Sequence, residues 1–338
     1  MHNNWRHCKR LEMHYKSQRG AALIVALLVA AVVSLLATTV ANDSLVTFRR
    51  VENQLHKQQA YAMLLGAEAV ARRALLEDAK QSSIDSLTEF WATEALQYPT
   101  EYGVIRGRLF DLSGRLNLAN LTDQPTQQQP YATDQQRFIR LLQVLELEQP
   151  LSQAQSEELA NAVFDWLDAD NNERFPGGAE NFYYSSLEPM TRPANRLISS
   201  VSELRWVKGM TPEIFRALEP HVSIWPDQGS QININTASVT VLRSLNADKD
   251  LRPLSEADVE PILQEREQQE GLEDLEIFNQ NPLAALNVIT TNISTSSTDF
   301  LLTSQTDFLS RKFNLRSVLH RPNSGDRVEV VARSQSSL

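Results

Sequence analysis

Between residues 165 and 180 the chain reads DWLDADNNERFPGGAE. Asp165, Asp168, Asp170, Asn172 and Glu173 fall within nine residues, and Glu180 follows a Gly-Gly turn. Carboxylates packed this closely repel one another unless they are solvated, protonated or bridged by a cation. Oxygen ligands at alternating positions suit a hard ion, and a ring of roughly six to eight such oxygens suits Ca2+. The EF-hand pattern fits Asp168, Asp170 and Asn172, but its glycine position holds Glu173. Its final ligand position is Ala179, with Glu180 one residue late. Composition alone leaves two readings open: a calcium loop of another kind, or a solvated acidic loop capping the helix that ends near Trp166. Asp165 and Asp168, three apart at that helix end, could also act as the acid/base pair of a membrane-anchored hydrolase.

Other chemistry is sparse. The chain has no G-x-S-x-G, no H-E-x-x-H and no P-loop. Of six histidines, His2, His7 and His14 precede residue 20, and His56, His221 and His320 stand apart from any nucleophile. The single cysteine, Cys8, leaves everything after Gly20 without thiols, so neither a disulfide framework nor a cysteine metal site can form there. The formal net charge is −10; the first twenty residues carry +4, so the remainder carries −14. Such a surface repels phosphate backbones and argues against nucleic acid as a partner.

One segment nevertheless has the outline of a DNA-gripping unit. INTASVTVLRSL followed by SEADVEPILQERE looks like a helix-hairpin-helix, with Asn235 or Thr236 expected to cap its first helix. A DNA receptor would use a glycine-rich turn to meet a phosphate. Here the connection, NADKDLRPLSE (246–256), contains no Gly, and residues 236–280 hold eleven acids against Arg243, Lys249, Arg252 and Arg266. A packing role is expected for this unit.

The elements that must position these groups begin with a helix. A basic leader ends at Gly20, and Ala21–Ala41 contains no charged residue. As a helix those residues span roughly 31 Å, close to the hydrocarbon thickness of a bilayer. The leader's charge orients it to the cytoplasm. An ordinary secretory signal would be cut after the apolar core, near Thr39–Ala41. Residues 43–79 continue without Pro and with Gly66 alone. Leu45, Phe48, Val51, Leu55, Ala62, Leu65, Ala69 and Leu76 recur at three or four, predicting one continuous helix, lipidic first and packed later. Strand-like pieces surround a Ser-Gly turn in RLFDLSGRLNLANL (108–121). QPTQQQP (124–130) reads as a linker, and a helix is expected from about Asp134 to Glu148. DFLLTSQTDF, FNLRSVLHRP and RVEVVARSQ read as closing strands, with PNSGD (322–326) as a turn. Strands on both sides make the helical middle an insertion in one sheet domain.

Arg19-Gly20 followed by AALIVALL, a long helix and a globular head resembles the type IV pilin and pseudopilin class. The resemblance implies cleavage between Gly20 and Ala21 by a membrane prepilin peptidase, which also methylates the new amino terminus at Ala21. Most members carry Glu at the fifth residue after the cut, where it neutralises the terminus of the subunit ahead; here that residue is Val25. A carboxylate in the bilayer costs about 2.5–3.5 kcal/mol, so it is kept for a purpose. A subunit without it fits the filament end.

The order D-x-S-G-R-x-N-L, D-W-x-D-x-D, G-G-A-E, S-E-L-x-x-V-x-G-M, I-N-I-N-T-A is similar to the minor pseudopilin K family of type II secretion systems. The resemblance implies an α+β, pilin-like fold: a long N-terminal helix packed on a small antiparallel sheet, with a large α-helical insertion. The expected division is a cleaved leader (1–20), a transmembrane half-helix (21–42), the packed helix and first strands (43–120), an inserted helical domain (121–295) and closing strands (296–338). It further implies a non-enzymatic, single-pass inner-membrane protein with a periplasmic head. Its expected partners are minor pseudopilins I and J, then H and the major pseudopilin G. Structural Ca2+ is expected on Asp165, Asp168, Asp170, Asn172 and Glu180, with Asn195 and Glu203 as later donors.

Overall fold

A computed structural model of the chain describes residues 19–92, 96–101, 103–125, 129–247, 251–280, 283–309 and 311–335. The basic leader before Arg19 lies outside the described residues. The chain divides into two units, one ending at Gln59 and one beginning at Ala60.

Helix α1 runs unbroken over Arg19–Gln81. Nothing in its sequence interrupts the backbone ladder, since it lacks Pro and its lone interior glycine, Gly66, only weakens it. From Gly20 to Leu55 every side chain is exposed, including Leu23, Val25 and Leu35. This stretch is long and apolar enough to cross a bilayer.

In the second unit, α1 packs through Ala60, Leu64, Glu68, Ala71 and Leu75. The expected stripe is therefore corrected: Leu45, Phe48, Val51, Leu55, Ala62 and Ala69 are exposed, and Leu65 and Leu76 only half-buried. The buried row includes a carboxylate, which a purely apolar reading skips. Strands β1 (Leu96–Thr100) and β2 (Gly103–Asp111) follow the helix. The chain then leaves the sheet at residue 112.

That excursion contains β3 (Leu116–Asn117), α2 (Thr133–Gln143), α3 (Gln153–Leu167), α4 (Asn181–Ser185), α5 (Pro212–Leu218), β4 (Val222–Ser223), β5 (Ile232–Asn233), α6 (Val239–Leu242), α7 (Glu256–Gln268) and β6 (Ile293–Ser294). β3 does not fold back on β2 after the Ser113-Gly114 turn but pairs in parallel with β4, as β5 does with β6. Phe138, Phe164, Phe215, Leu242 and Ile262 are buried in its core. Ser238, not Asn235 or Thr236, caps α6, its Oγ accepting from Val241 N–H. Asn235 is instead buried, donating to the Leu272 carbonyl, and Thr236 Oγ1 donates to Asp111.

The chain returns as β7 (Asp299–Phe308), β8 (Arg311–His320) and β9 (Glu329–Ser334). The sheet order is β1-β2-β7-β8-β9, antiparallel throughout, so β2 and β7 are neighbours across the whole excursion. β7 alternates cleanly: Phe300, Leu302, Ser304, Thr306 and Phe308 are buried, whereas Leu301, Thr303, Gln305 and Asp307 are not. Leu75, Leu109, Phe300, Leu302 and Leu319 form the core under α1, with Trp91 edge-on to Phe300 at 5.1 Å. The roots of the excursion are tied by polar contacts. Ser297 N–H donates to Asp85 Oδ2 (2.7 Å), and Arg321 reaches Asp85 (2.5 Å) and Asp78 (3.0 Å). Asp78, Asp85 and Glu89 form an acidic group, and the Arg321 guanidinium supplies its positive charge.

Candidate metal centre

Helix α3 starts at a capping box, Ser152 with Gln155, and buries its last turn, Asp165, Trp166 and Leu167. Trp166 meets Tyr184 of α4 edge-on at 5.0 Å, which brings the two ends of the acidic segment together. Asp165 is fully buried and organises the loop from inside. Its Oδ2 accepts from Arg174 N–H (3.1 Å) and Ala179 N–H (2.8 Å). The turn between them depends on Gly178, where a Cβ would stand 2.2 Å from Asp165 Oδ2 and 2.5 Å from the Arg174 carbonyl. Lys208 Nζ donates to the Gly178 carbonyl at 3.0 Å and closes the turn from the far side.

Three carboxylates converge outside this turn. Asp168, Asp170 and Glu180 each offer an oxygen within 4.8 Å of the others. Asp168 terminates α3, Asp170 lies on the exposed loop, and Glu180 precedes α4 without capping it. Asn195 joins from a distant loop in a left-handed conformation, φ 45°, which Asn tolerates better than most residues. Its N–H donates to the Trp166 carbonyl (3.1 Å) and its Nδ2 to the Asp170 carbonyl (2.6 Å), leaving Oδ1 free.

Five buried oxygens here accept no hydrogen bond: Asp165 Oδ1, Asp168 Oδ1, both Glu180 oxygens and Asn195 Oδ1. Buried acceptors without donors are costly and rare. Burial, with the charges of Asp165, Asp168 and Asp170, pushes the Glu180 carboxyl up to about 7. Burial, opposed by its two backbone hydrogen bonds, leaves Asp165 at about 6. Asp168 is raised by burial and then by Asp170. An all-oxygen set of this kind, acceptors only and partly charged, fits a hard divalent cation. Arg174 stands 3.6 Å from both Asp165 and Asp168, offsetting part of their charge.

Of the expected ligands, the structure brings together Asp168, Asp170, Glu180 and Asn195, with Asp165 behind them. Asn172 contributes through its backbone, N–H donating to Asp170 Oδ1 at 2.7 Å, while its side chain is exposed. Glu203 is not drawn into the group; its Oε1 accepts from Ser199 N–H at 2.7 Å. Arg174, Gly178 and Lys208 escaped the sequence reading. Only the Gly-Gly pair left a trace there, because the partners of Arg174 and Lys208 are set by the turn's closure.

A long helix whose first half is bare and apolar, with a second half packed on an antiparallel sheet, defines a pilin-like protein. Here the α+β head is interrupted by a helical insertion. Residues 114–227 and 232–296 match the family described as type II secretion system (T2SS), protein K. The chain is 33% identical over 327 residues to the type II secretion system protein K of Pseudomonas aeruginosa, covering 94% of this chain and 93% of that one. It is 32% identical to the protein K of Pectobacterium carotovorum subsp. carotovorum, covering 94% and 96%. The chain belongs to the type II secretion system protein K family. Its fold is shared with a chain in the crystal structure of the GspK-GspI-GspJ complex from enterotoxigenic Escherichia coli. That likeness has a TM-score of 0.70 at 24% identity and covers 86% of this chain and all of that one.

Proposed function

We propose that this chain is the minor pseudopilin that ends a type II secretion pseudopilus, initiating the filament that drives folded proteins across the outer membrane. The observation that carries this reading is the excursion from 112 to 298 between neighbouring strands β2 and β7. Subunits stacked along a narrow filament must present similar flanks, and an inserted domain of this size is accommodated only at an end. Val25 supports it, since a terminal subunit has no amino terminus ahead of it to neutralise.

On this reading the prepilin peptidase cuts after Gly20, and Ala21 becomes the methylated terminus. Residues 21–42 stay in the inner membrane, and the head lies in the periplasm. Minor pseudopilins I and J are the immediate partners, in keeping with the complex in which the related GspK was crystallised; H and the major pseudopilin G lie below. The protein works as a structural component, without catalysis. Ca2+ held by Asp168, Asp170, Glu180 and Asn195 would draw the 168–180 loop to the end of α3 and satisfy the orphaned oxygens. Asp165 sits behind as the loop's anchor. Native mass spectrometry of the chain co-expressed with I and J tests the assembly. One copy of each is expected, and a persistent lone chain would overturn the reading.

A further inference from the structure

The sheet face turned away from α1 runs against the charge of the rest of the molecule. Strand register aligns Arg108 of β2, Thr303 of β7 and Arg316 of β8 in one row, and Arg106, Gln305 and Asn314 in the next. Ser304 and Leu315 of the row between them are buried, as are Leu109 and Leu302 of the flanking row, so by alternation these six project outward. They line an open depression of about 640 Å³, and among the described residues lining it there is no carboxylate. Arg106 is already neutralised by Asp307 at 2.6 Å. Arg108 leans over Phe110, 4.8 Å from the ring centroid, and both Arg108 and Arg316 are exposed. Two strand spacings place these two arginines roughly 10 Å apart, with the Thr303 hydroxyl between them.

We propose that this face docks an acidic segment of another protein, laid across the strands with its carboxylates on Arg108 and Arg316. Guanidinium forks match carboxylates in paired hydrogen bonds; Gln305 and Asn314 supply donors and acceptors for a backbone, and the Thr303 hydroxyl, which donates to the Arg108 carbonyl at 3.3 Å, adds an acceptor. The partner's size is set by electrostatics. A large polyanion meets the whole chain, whose net charge is −10, and is repelled. A short segment meets only the patch, because screening limits the reach of the remaining charge to about 10 Å.

The test is fluorescence anisotropy of a labelled peptide of alternating Glu and Thr with the full chain in zwitterionic detergent. Saturable binding that weakens with salt is expected. Arg108→Glu combined with Arg316→Glu weakens it at least about tenfold, the difference of one to two charge contacts. Lys80→Glu, elsewhere on the surface, leaves it unchanged, and a Lys/Thr peptide does not bind. If the reversed pair lowers the melting temperature, the Ala pair replaces it, with the same direction expected. Unchanged affinity in either pair overturns the proposal. So does tighter binding of a single-stranded oligonucleotide than of the peptide. Sedimentation showing that the face instead joins two copies of this chain would also overturn it.

Discussion

Glu68 of α1 and Arg333 of β9 meet in a two-pronged ion pair: Nε to Oε2 at 2.8 Å and Nη2 to Oε1 at 2.8 Å. Ser317 Oγ donates to the same Oε2 at 2.7 Å. The contact fixes the rotation of α1 against the sheet, because Glu68 is only 4% exposed and lies in the row that packs. Glu68→Gln is expected to destabilise the head by about 1–3 kcal/mol at neutral pH, towards the lower figure since Arg333 can rehydrate. Burial raises the Glu68 carboxyl, but the hydrogen bonds of Arg333 and Ser317, with the Arg333 charge, bring it net below 4.5. A depressed acid stabilises above its unfolded value and loses that contribution as pH falls through its folded one. Urea unfolding should therefore show a gap between wild type and variant that is full at pH 7 and closes in acid. A gap that widens in acid would contradict the pairing.

Calcium is expected to raise the melting temperature, and chelation to lower it again. At a hundredfold excess over the dissociation constant the gain is about 2.7 kcal/mol. Glu180→Gln separates cation binding from simple acidity by its sign. Without calcium it removes a buried, unpaired charge, so the variant should be at least as stable as wild type. With calcium it should lose the gain. Differential scanning calorimetry with and without chelator reads both. A variant destabilised equally in both conditions would speak for packing instead.

Two glycines should respond oppositely to alanine. Gly178→Ala forces a Cβ into Asp165 Oδ2 and the Arg174 carbonyl, and a loss of about 1–3 kcal/mol is expected together with weaker calcium binding. Gly66→Ala, in the middle of α1 with nothing within 4 Å of the added carbon, should gain about 0.5–1 kcal/mol. Thermal melts of the two variants check both signs.

Processing makes a separate prediction. Protein extracted from membranes should begin at Ala21 and be one methyl group heavier than its residues require. In cells lacking the prepilin peptidase the leader should remain. Intact-mass spectrometry distinguishes this from a product beginning near Asn42 in either strain, which would mark an ordinary signal peptide.

The parts of this molecule readable in sequence are those set by local pattern. β7 shows its alternation in DFLLTSQTDF, α1 its lack of breakers, and the acidic loop its crowding of carboxylates. What escaped depends on residues far away in the chain. The packed face of α1 passes through Glu68, which looks like a solvent position until Arg333 arrives from the last strand. Ser238 caps α6 because Asn235 is committed to the Leu272 carbonyl, a contact created by closure of the excursion. Arg174 looks like an ordinary surface cation, and only the turn at Gly178 sets it beside Asp165 and Asp168. Asn195 gains its place through the Trp166 carbonyl, left open where α3 ends.

Position at the filament end can be read by counting copies. Sheared pseudopili would be sorted by length, and this chain quantified against the major pseudopilin by isotope-labelled peptides. One copy per filament, whatever its length, is the predicted result. A ratio that stays constant as filaments lengthen would place the chain within the filament body and rule out a terminal position.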